Sequence, residues 1–263
     1  MDVQEIVQSC AEITLEDEEA GVRFEEEAGS VVAEGIAQQY WQMVGRFLTD
    51  RNVKFDVMRQ VMTSVWRPLM GIQVAEVQPN LYLFTFYHDT DMAYVLENGP
   101  WAFENATLVC QPLRPGEHPT QVMLNTIDYW IQVHDLPVGY RTDKVLEKVG
   151  DFLRFFVRLD ERNFVRPWTK FYKVKVTVEV TAPLKRRMKM ILRDNSWTRV
   201  NFLYERLHMF CYFCGKLGHT DKFYLDARVS GLKPEQYPFS MSLKAGGNSP
   251  AKAVGESWLQ KGE

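Results

Sequence analysis

Apolar positions along this chain recur at a spacing of two in some stretches and of three to four in others, and the changes between them predict its elements. Gln39 to Leu48 is an apolar, aromatic-rich run ending at Thr49-Asp50 and reads as a strand. Asp56 is placed to cap a helix whose stripe, Val57, Met58, Val61, Met62, Val65 and Trp66, is assigned to the core, and Pro68 ends it. Two strands, Ile72 to Val77 and Leu81 to Tyr87, flank a turn at Gln78-Pro79-Asn80. Asp89 and Thr90 can cap a second helix with Met92, Val95 and Leu96 on one face. Gly99 and Pro100 stop it, and Thr107 to Gln111 is a further strand. Strand, helix, strand, strand, helix, strand is the split βαβ, ferredoxin-like order that RNA-recognition modules also use.

A second unit follows the loop RPGEHPTQ. Ile127, Tyr129, Ile131 and Val133 alternate on one strand face, Thr142-Asp143 opens a short helix ending at Gly150, and a strand resumes over Phe152 to Leu159. Tyr172 to Val180 is the cleanest alternation: Tyr172, Val174, Val176, Val178 and Val180 face one way, Lys173, Lys175, Thr177 and Glu179 the other. LKRRMKMILR, a turn at Asp194-Asn195-Ser196 and Trp197 to Tyr204 predict a hairpin. The expected class is α+β. It comprises a βαββαβ, RNA-recognition-like unit over 38–115, a second, mostly antiparallel α+β unit over 125–205, and a short zinc-knuckle-like turn over 206–226.

Charge is segregated along the chain, which changes what the net charge of -3 implies. Residues 1–39 carry eleven acids and one base, whereas residues 162–225 carry fourteen bases and four acids. The acidic stretch reads as a solvated, disordered tail over 1–37, with a sharper alternative in which it occupies the basic region as an intramolecular decoy. From Lys244, KAGGNSPAKAVGESWLQKGE reads as a flexible end. No apolar run reaches the length of a membrane helix, and no secretory signal opens the chain, so a reducing intracellular compartment is expected.

The four cysteines include a pair three residues apart in CYFCGKLGHTDKFY: Cys211, Cys214, then His219, then Tyr224. Two thiolates on a tight turn and an imidazole can converge on one tetrahedral Zn²⁺, with Gly215 and Gly218 supplying the φ > 0 turns. A zinc knuckle expects a cysteine where Tyr224 stands. Three ligands then remain, to be completed by water, Asp221, Asp226 or His208, or else the turn is vestigial and metal-free. Nothing matches a deaminase, a zincin, a nucleophile elbow, a P-loop or a dinucleotide fingerprint, so a non-enzymatic chain is expected. His88, His118, His134 and His208 are scattered and read as caps or surface residues.

Four blocks, MVGRFLTDRNVKFDVMRQVMTSVWRP, LENGPWAF, WIQVHDLPVGY and NFLYERLHMFCYFCGKLGH, give the chain a close resemblance to a plant family over residues 38–224. That family is a domain of unknown function preceding a C-x2-C-x4-H-x4-C zinc knuckle in retrotransposon-derived, LINE-like first-frame proteins. The resemblance implies nucleic-acid and zinc-ion binding, with Cys211, Cys214 and His219 as metal ligands and Tyr224 departing from the pattern.

The expected partner is single-stranded RNA or DNA. Lys185, Arg186, Arg187 and Lys189 crowd one loop and hairpin edge, with Arg193 and Arg199 nearby and Lys173 and Lys175 on the wet face of the preceding strand. About four phosphates neutralised there would make log K fall with log salt at a slope of about -3. Tyr212 and Phe213, with Trp197, are the expected stacking rings. Tyr82, Phe84 and Phe86 share one strand face, either as an open stacking platform or as core. The competing class is a protein-interaction or self-association module with a metal-free knuckle.

Overall fold

Alternating strands and two amphipathic helices build a first sheet, and a computed structural model describes residues 40–165 and 169–246. The acidic stretch over 1–37 and most of the expected C-terminal end lie outside the described residues. Lys244, where that end was expected to begin, forms a parallel bridge with Tyr204, and the Ala245 N–H donates to the Tyr204 carbonyl at 2.9 Å.

In the first unit β1 (Trp41–Phe47), α1 (Phe55–Trp66), β2 (Ile72–Gln78), β3 (Leu81–Phe86), α2 (Asp89–Glu97), β4 (Trp101–Phe103) and β5 (Ala106–Pro112) form a sheet of order β2-β3-β1-β5-β4. This is the expected split βαβ with one addition, the β4–β5 hairpin. Its two-residue turn, Glu104-Asn105, has φ of 47° and 66°, the paired positive values of a type I′ turn. The α1 stripe divides into two rows. Met58, Met62 and Trp66 are buried, whereas Val57, Val61 and Val65 face solvent, because a helix lying on a sheet covers one row of i, i+4 positions and not its neighbour. Lys54 is the residue before the first turn and Asp56 lies inside it, paired with Arg59 at 3.3 Å, so Asp56 is not the cap. His88 caps α2, accepting from the Thr90 N–H at 3.2 Å.

The second unit contains β6 (Thr126–His134), α3 (Asp143–Leu153), β7 (Phe155–Leu159), β8 (Phe171–Glu179), β9 (Arg187–Ile191) and β10 (Trp197–Tyr204), in the sheet order β7-β8-β6-β10-β9. Matching β6 to β1, β7 to β2, β8 to β3 and the β9–β10 hairpin to β4–β5 gives the same topology. The difference is that no helix lies between β8 and β9. The two units are one arrangement built twice, the second time without its second helix.

That omission determines how the units pack. Met43, Phe47, Tyr82, Phe84 and Phe86 join Met58, Met62, Trp66 and Val95 in a core on the helix side of the first sheet. Tyr82, Phe84 and Phe86 are therefore core rings and not an open platform. Val44 and Val109, on the opposite face, belong to a second core with Tyr129, Ile131, Val174, Val176, Phe202 and Tyr204. The same core takes in Leu207, Phe210, Leu217 and Leu243. The helix-free face of the first sheet and the segment after β10 thus cover the side of the second sheet that a second helix would have covered.

Cations of the second unit also gather at the C-terminal end of α2, where unpaired carbonyls carry partial negative charge. Lys175 Nζ donates to the Glu97 carbonyl at 3.2 Å, Arg158 lies 3.7 Å from the Glu97 carboxylate, and Arg206 donates to the Asn98 carbonyl. Among the described residues no helix is long and apolar enough to cross a membrane.

Candidate nucleic-acid interface and metal centre

The eight basic residues expected to form one stripe separate into three groups and a lone Arg193. Lys175 is only 5% exposed, held between the Glu97 carbonyl and Asp128 at 3.7 Å, so it binds the first unit and not a phosphate. Lys173 is neutralised by Glu205 at 3.0 Å and Asp160 at 3.5 Å, and its ammonium stands 5.2 Å from the Trp130 ring centre. The Arg162 backbone N–H and side chain donating to Asp160, and then the Lys173 ammonium beside it, hold the Asp160 carboxyl below its ordinary range.

Lys185 and Arg186 are also turned away. Lys185 donates to the Phe152 carbonyl at the end of α3, and burial there lowers its ammonium pKa. Arg186 donates to the Pro238 carbonyl with its guanidinium over the Phe239 ring, and so fastens the segment after the knuckle. Neighbours in sequence point apart here because a strand alternates its side chains and the loop before it does not continue that alternation.

The third group stays together. In β9, Met188 and Met190 pack on the core, so Arg187 and Lys189 face outward; across the ladder Lys189 pairs with Arg199, Arg187 with Asn201 and Ile191 with Trp197. Cross-strand partners share a face. The hairpin thus presents Arg187, Lys189, Arg199 and Trp197 to solvent together, with Trp197 55% exposed and Lys189 Nζ 5.0 Å from its ring centre. Among the described residues no carboxylate lies within ion-pair distance of these three cations. Arg193 is exposed at the turn, where its backbone N–H donates to the Tyr140 hydroxyl at 2.9 Å.

The same outward face continues across the second sheet to side chains that the sequence reading did not single out. Trp130 on β6 lies under Arg158 and Lys173, and His134 stacks on Phe171 with centres 5.1 Å apart. The signal was available in the polar half of the β6 alternation: Asp128, Trp130, Gln132 and His134 are the positions between Ile127, Tyr129, Ile131 and Val133.

The knuckle frame folds as its spacing predicts. The Cys211 N–H donates to the Lys216 carbonyl and the Gly215 N–H to the Cys211 carbonyl, both at 2.9 Å, and Gly215 and Gly218 have φ of 76° and 88°. The ligand atoms of Cys211, Cys214 and His219 lie within 4.8 Å of one another, with Cys214 Sγ 3.2 Å from His219 Nε2. Two sulfurs and an imidazole nitrogen converging at this spacing fit a zinc ion, whose binding would displace the thiol protons. Burial pushes the Cys211 thiol up to about 11, so the metal-free site holds it protonated at neutral pH. Asp221, Asp226 and His208 do not join this cluster.

Tyr224 stands over the site with its ring centre 5.0 Å from that of His219. Asp226 beside its hydroxyl, with the two cysteines contributing less, pushes the Tyr224 phenol up to about 12. Replacing Tyr224 by Cys is expected to restore the fourth ligand. The variant should retain zinc against a chelator concentration that strips the natural chain, as read by metal analysis after dialysis.

The knuckle is not free-standing. Phe210, Cys211 and Leu217 are buried, the Leu184 N–H donates to the Gly215 carbonyl, and a Cβ on Gly215 would overlap the Phe239 ring. Tyr212 packs on Phe210, and Phe213 sits between Tyr224 and Tyr237 with centres 5.9 and 5.5 Å away, so both half-buried rings have ring partners within the chain.

Comparison with known proteins places these features. The chain is 22% identical over 129 residues to the uncharacterized protein At4g02000 of Arabidopsis thaliana, a match covering 49% of this chain and 40% of that protein. A crystal structure of the first two RRM domains of the yeast poly(U) binding protein Pub1 aligns at 13% identity over 62% of this chain and 98% of that one. Its TM-score is 0.21, so strand order and not this likeness carries the fold. Residues 178–226, which include the β9–β10 hairpin, match a zinc knuckle, and residues 36–121 match a domain of unknown function, DUF4283. The chain therefore carries a DUF4283 domain followed by a CCHC-type zinc knuckle.

Proposed function

We propose that the protein is a non-catalytic binder of single-stranded RNA or DNA, working in a reducing intracellular compartment. A plant origin belongs to the same reading and is supported by the Arabidopsis relative, while derivation from a retrotransposon rests on the resemblance of the four sequence blocks to that family. The observation that carries the reading is the hairpin face, where Arg187, Lys189 and Arg199 stand without acid partners among the described residues beside the exposed Trp197. Cations that keep their counterions until a phosphate displaces them drive salt-dependent binding, and an open indole offers a stacking surface to any base. With Lys175, Lys173, Lys185 and Arg186 otherwise engaged, three phosphates replace the four expected from sequence. Binding of a single-stranded oligonucleotide, measured by gel shift across salt concentrations, should show a slope of log K against log salt to which these three cations contribute about -2. A slope near zero would remove the reading.

A protein-interaction surface is the second reading, and a different observation favours it. Val57, Val61 and Val65 line one side of α1, with Leu69 and Met70 just beyond it, all exposed. Replacing the three valines by Ser should abolish self-association in light scattering if this row is an interface, and should leave oligonucleotide binding unchanged.

A further inference from the structure

Where the knuckle meets the first unit there is a cavity of about 620 Å³, within the range of sites for small ligands and, like many of them, at a junction of two folded parts. Its floor is Leu48, Met209 and Leu217. A Cβ on Gly218 would lie 3.3 Å from the Leu48 side chain, so the knuckle is seated directly on the end of β1. One wall is formed by the His219 and Tyr224 rings, tilted by 38° with centres 5.0 Å apart. The rim is the connection from β1 to α1, Thr49-Asp50-Arg51, fixed by the Arg51 N–H donating to Thr49 Oγ1 at 3.1 Å. Arg51 is exposed and has no carboxylate partner among the described residues.

We propose that this groove takes one nucleotide of the bound strand, the base lying on the apolar floor against Tyr224 and the phosphate reaching Arg51. Three features select that ligand class. An aromatic wall over an apolar floor suits a planar heterocycle, the Arg51 guanidinium suits one phosphate while the other lining arginine, Arg46, is held by the Leu124 carbonyl at 3.1 and 3.3 Å, and Asp50 on the same rim disfavours a bare polyanion while leaving an acceptor for a base amino group. The proposal gives the departure at position 224 a role: a cysteine there would complete the metal site and remove the wall. It rests on the single-strand reading above and adds a second contact, independent of the hairpin.

The test uses the full chain and a single-stranded RNA oligonucleotide carrying 5-iodouridine, photocrosslinked and mapped by mass spectrometry. An adduct on Tyr224 or Met209 is expected. Tyr224→Phe should bind as the natural chain does, Tyr224→Ala should bind about tenfold more weakly with an unchanged salt slope, and Arg51→Ala should reduce the magnitude of the slope by about 0.7. Tyr224→Cys should hold zinc more tightly and yet lose the adduct. Adducts confined to Trp197, together with full affinity in Tyr224→Ala, would overturn the groove and leave the hairpin reading standing. Absence of any oligonucleotide binding would overturn both.

Discussion

Replacing Val44 by Lys is expected to open the second unit while leaving the first one folded. Val44 has no exposed surface and lies on the face of the first sheet that has no helices, inside the core shared with Tyr129, Val176 and Phe202. An ammonium there would be buried without a partner, at a cost of about 3–5 kcal/mol. Undocking relieves that cost, because the introduced ammonium would then stand on an open sheet face in water. The first unit can tolerate undocking: Met43, Phe47, Met58, Met62, Trp66, Tyr82, Phe84 and Phe86 form a core that does not use Val44. The second unit cannot, since the surface covering its missing helix would be gone. The apparent Tm should fall by about 6–20 °C. Hydrogen exchange should show amides of β6, β8 and β10 losing protection while β1 and β3 keep theirs. An unchanged Tm would mean the two sheets do not share a core, and uniform loss would mean the first unit is not separable from the second.

The order of elements in the first unit was legible in the sequence because each is amphipathic at its own period, and Tyr172 to Val180 announced β8 for the same reason. What alternation does not supply is which face meets which neighbour. Tyr82, Phe84 and Phe86 form one row in either reading, and only the placement of α1 and α2 over them makes that row core. The β4 strand was missed because Glu104-Asn105 lacks the Asn-Gly or Asp-Gly signature of a type I′ turn. The second unit hid its kinship with the first by lacking a helix, which is also why the first unit packs where it does.

Site residues follow the same division. Cys211, Cys214 and His219 are close in sequence on a glycine-bearing turn, so spacing alone brought them together. Lys175 looked solvated because its strand position faces away from the core of its own sheet, and nothing local reveals that the end of α2 lies over it. Arg51 and Tyr224 line one groove from opposite ends of the chain, a juxtaposition created by the docking of the units.

The largest effect on binding should come from replacing Arg187, Lys189 and Arg199 together by Ala. Each phosphate neutralised on a single strand contributes about 0.7 to the slope of log K against log salt, so at roughly 0.1 M salt each contact is worth about a factor of five and three together about 100-fold. The slope itself should lose the hairpin's share of about -2, which a general loss of folding would not produce in the fraction that remains native. The three side chains project outward from an edge hairpin whose inner face is Met188, Met190, Val200 and Phe202, so truncating them leaves the core contacts of the hairpin intact and the Tm within a few degrees of the natural value. Lys185→Ala with Arg186→Ala is the matched control, carrying nearly the same loss of charge from adjacent positions. Because those two side chains hold the Phe152 and Pro238 carbonyls, that pair should lower stability and leave the salt slope unchanged. The opposite result, with the control pair abolishing the slope and the triple variant retaining it, would mean that the outward face of the hairpin is not where the phosphates bind.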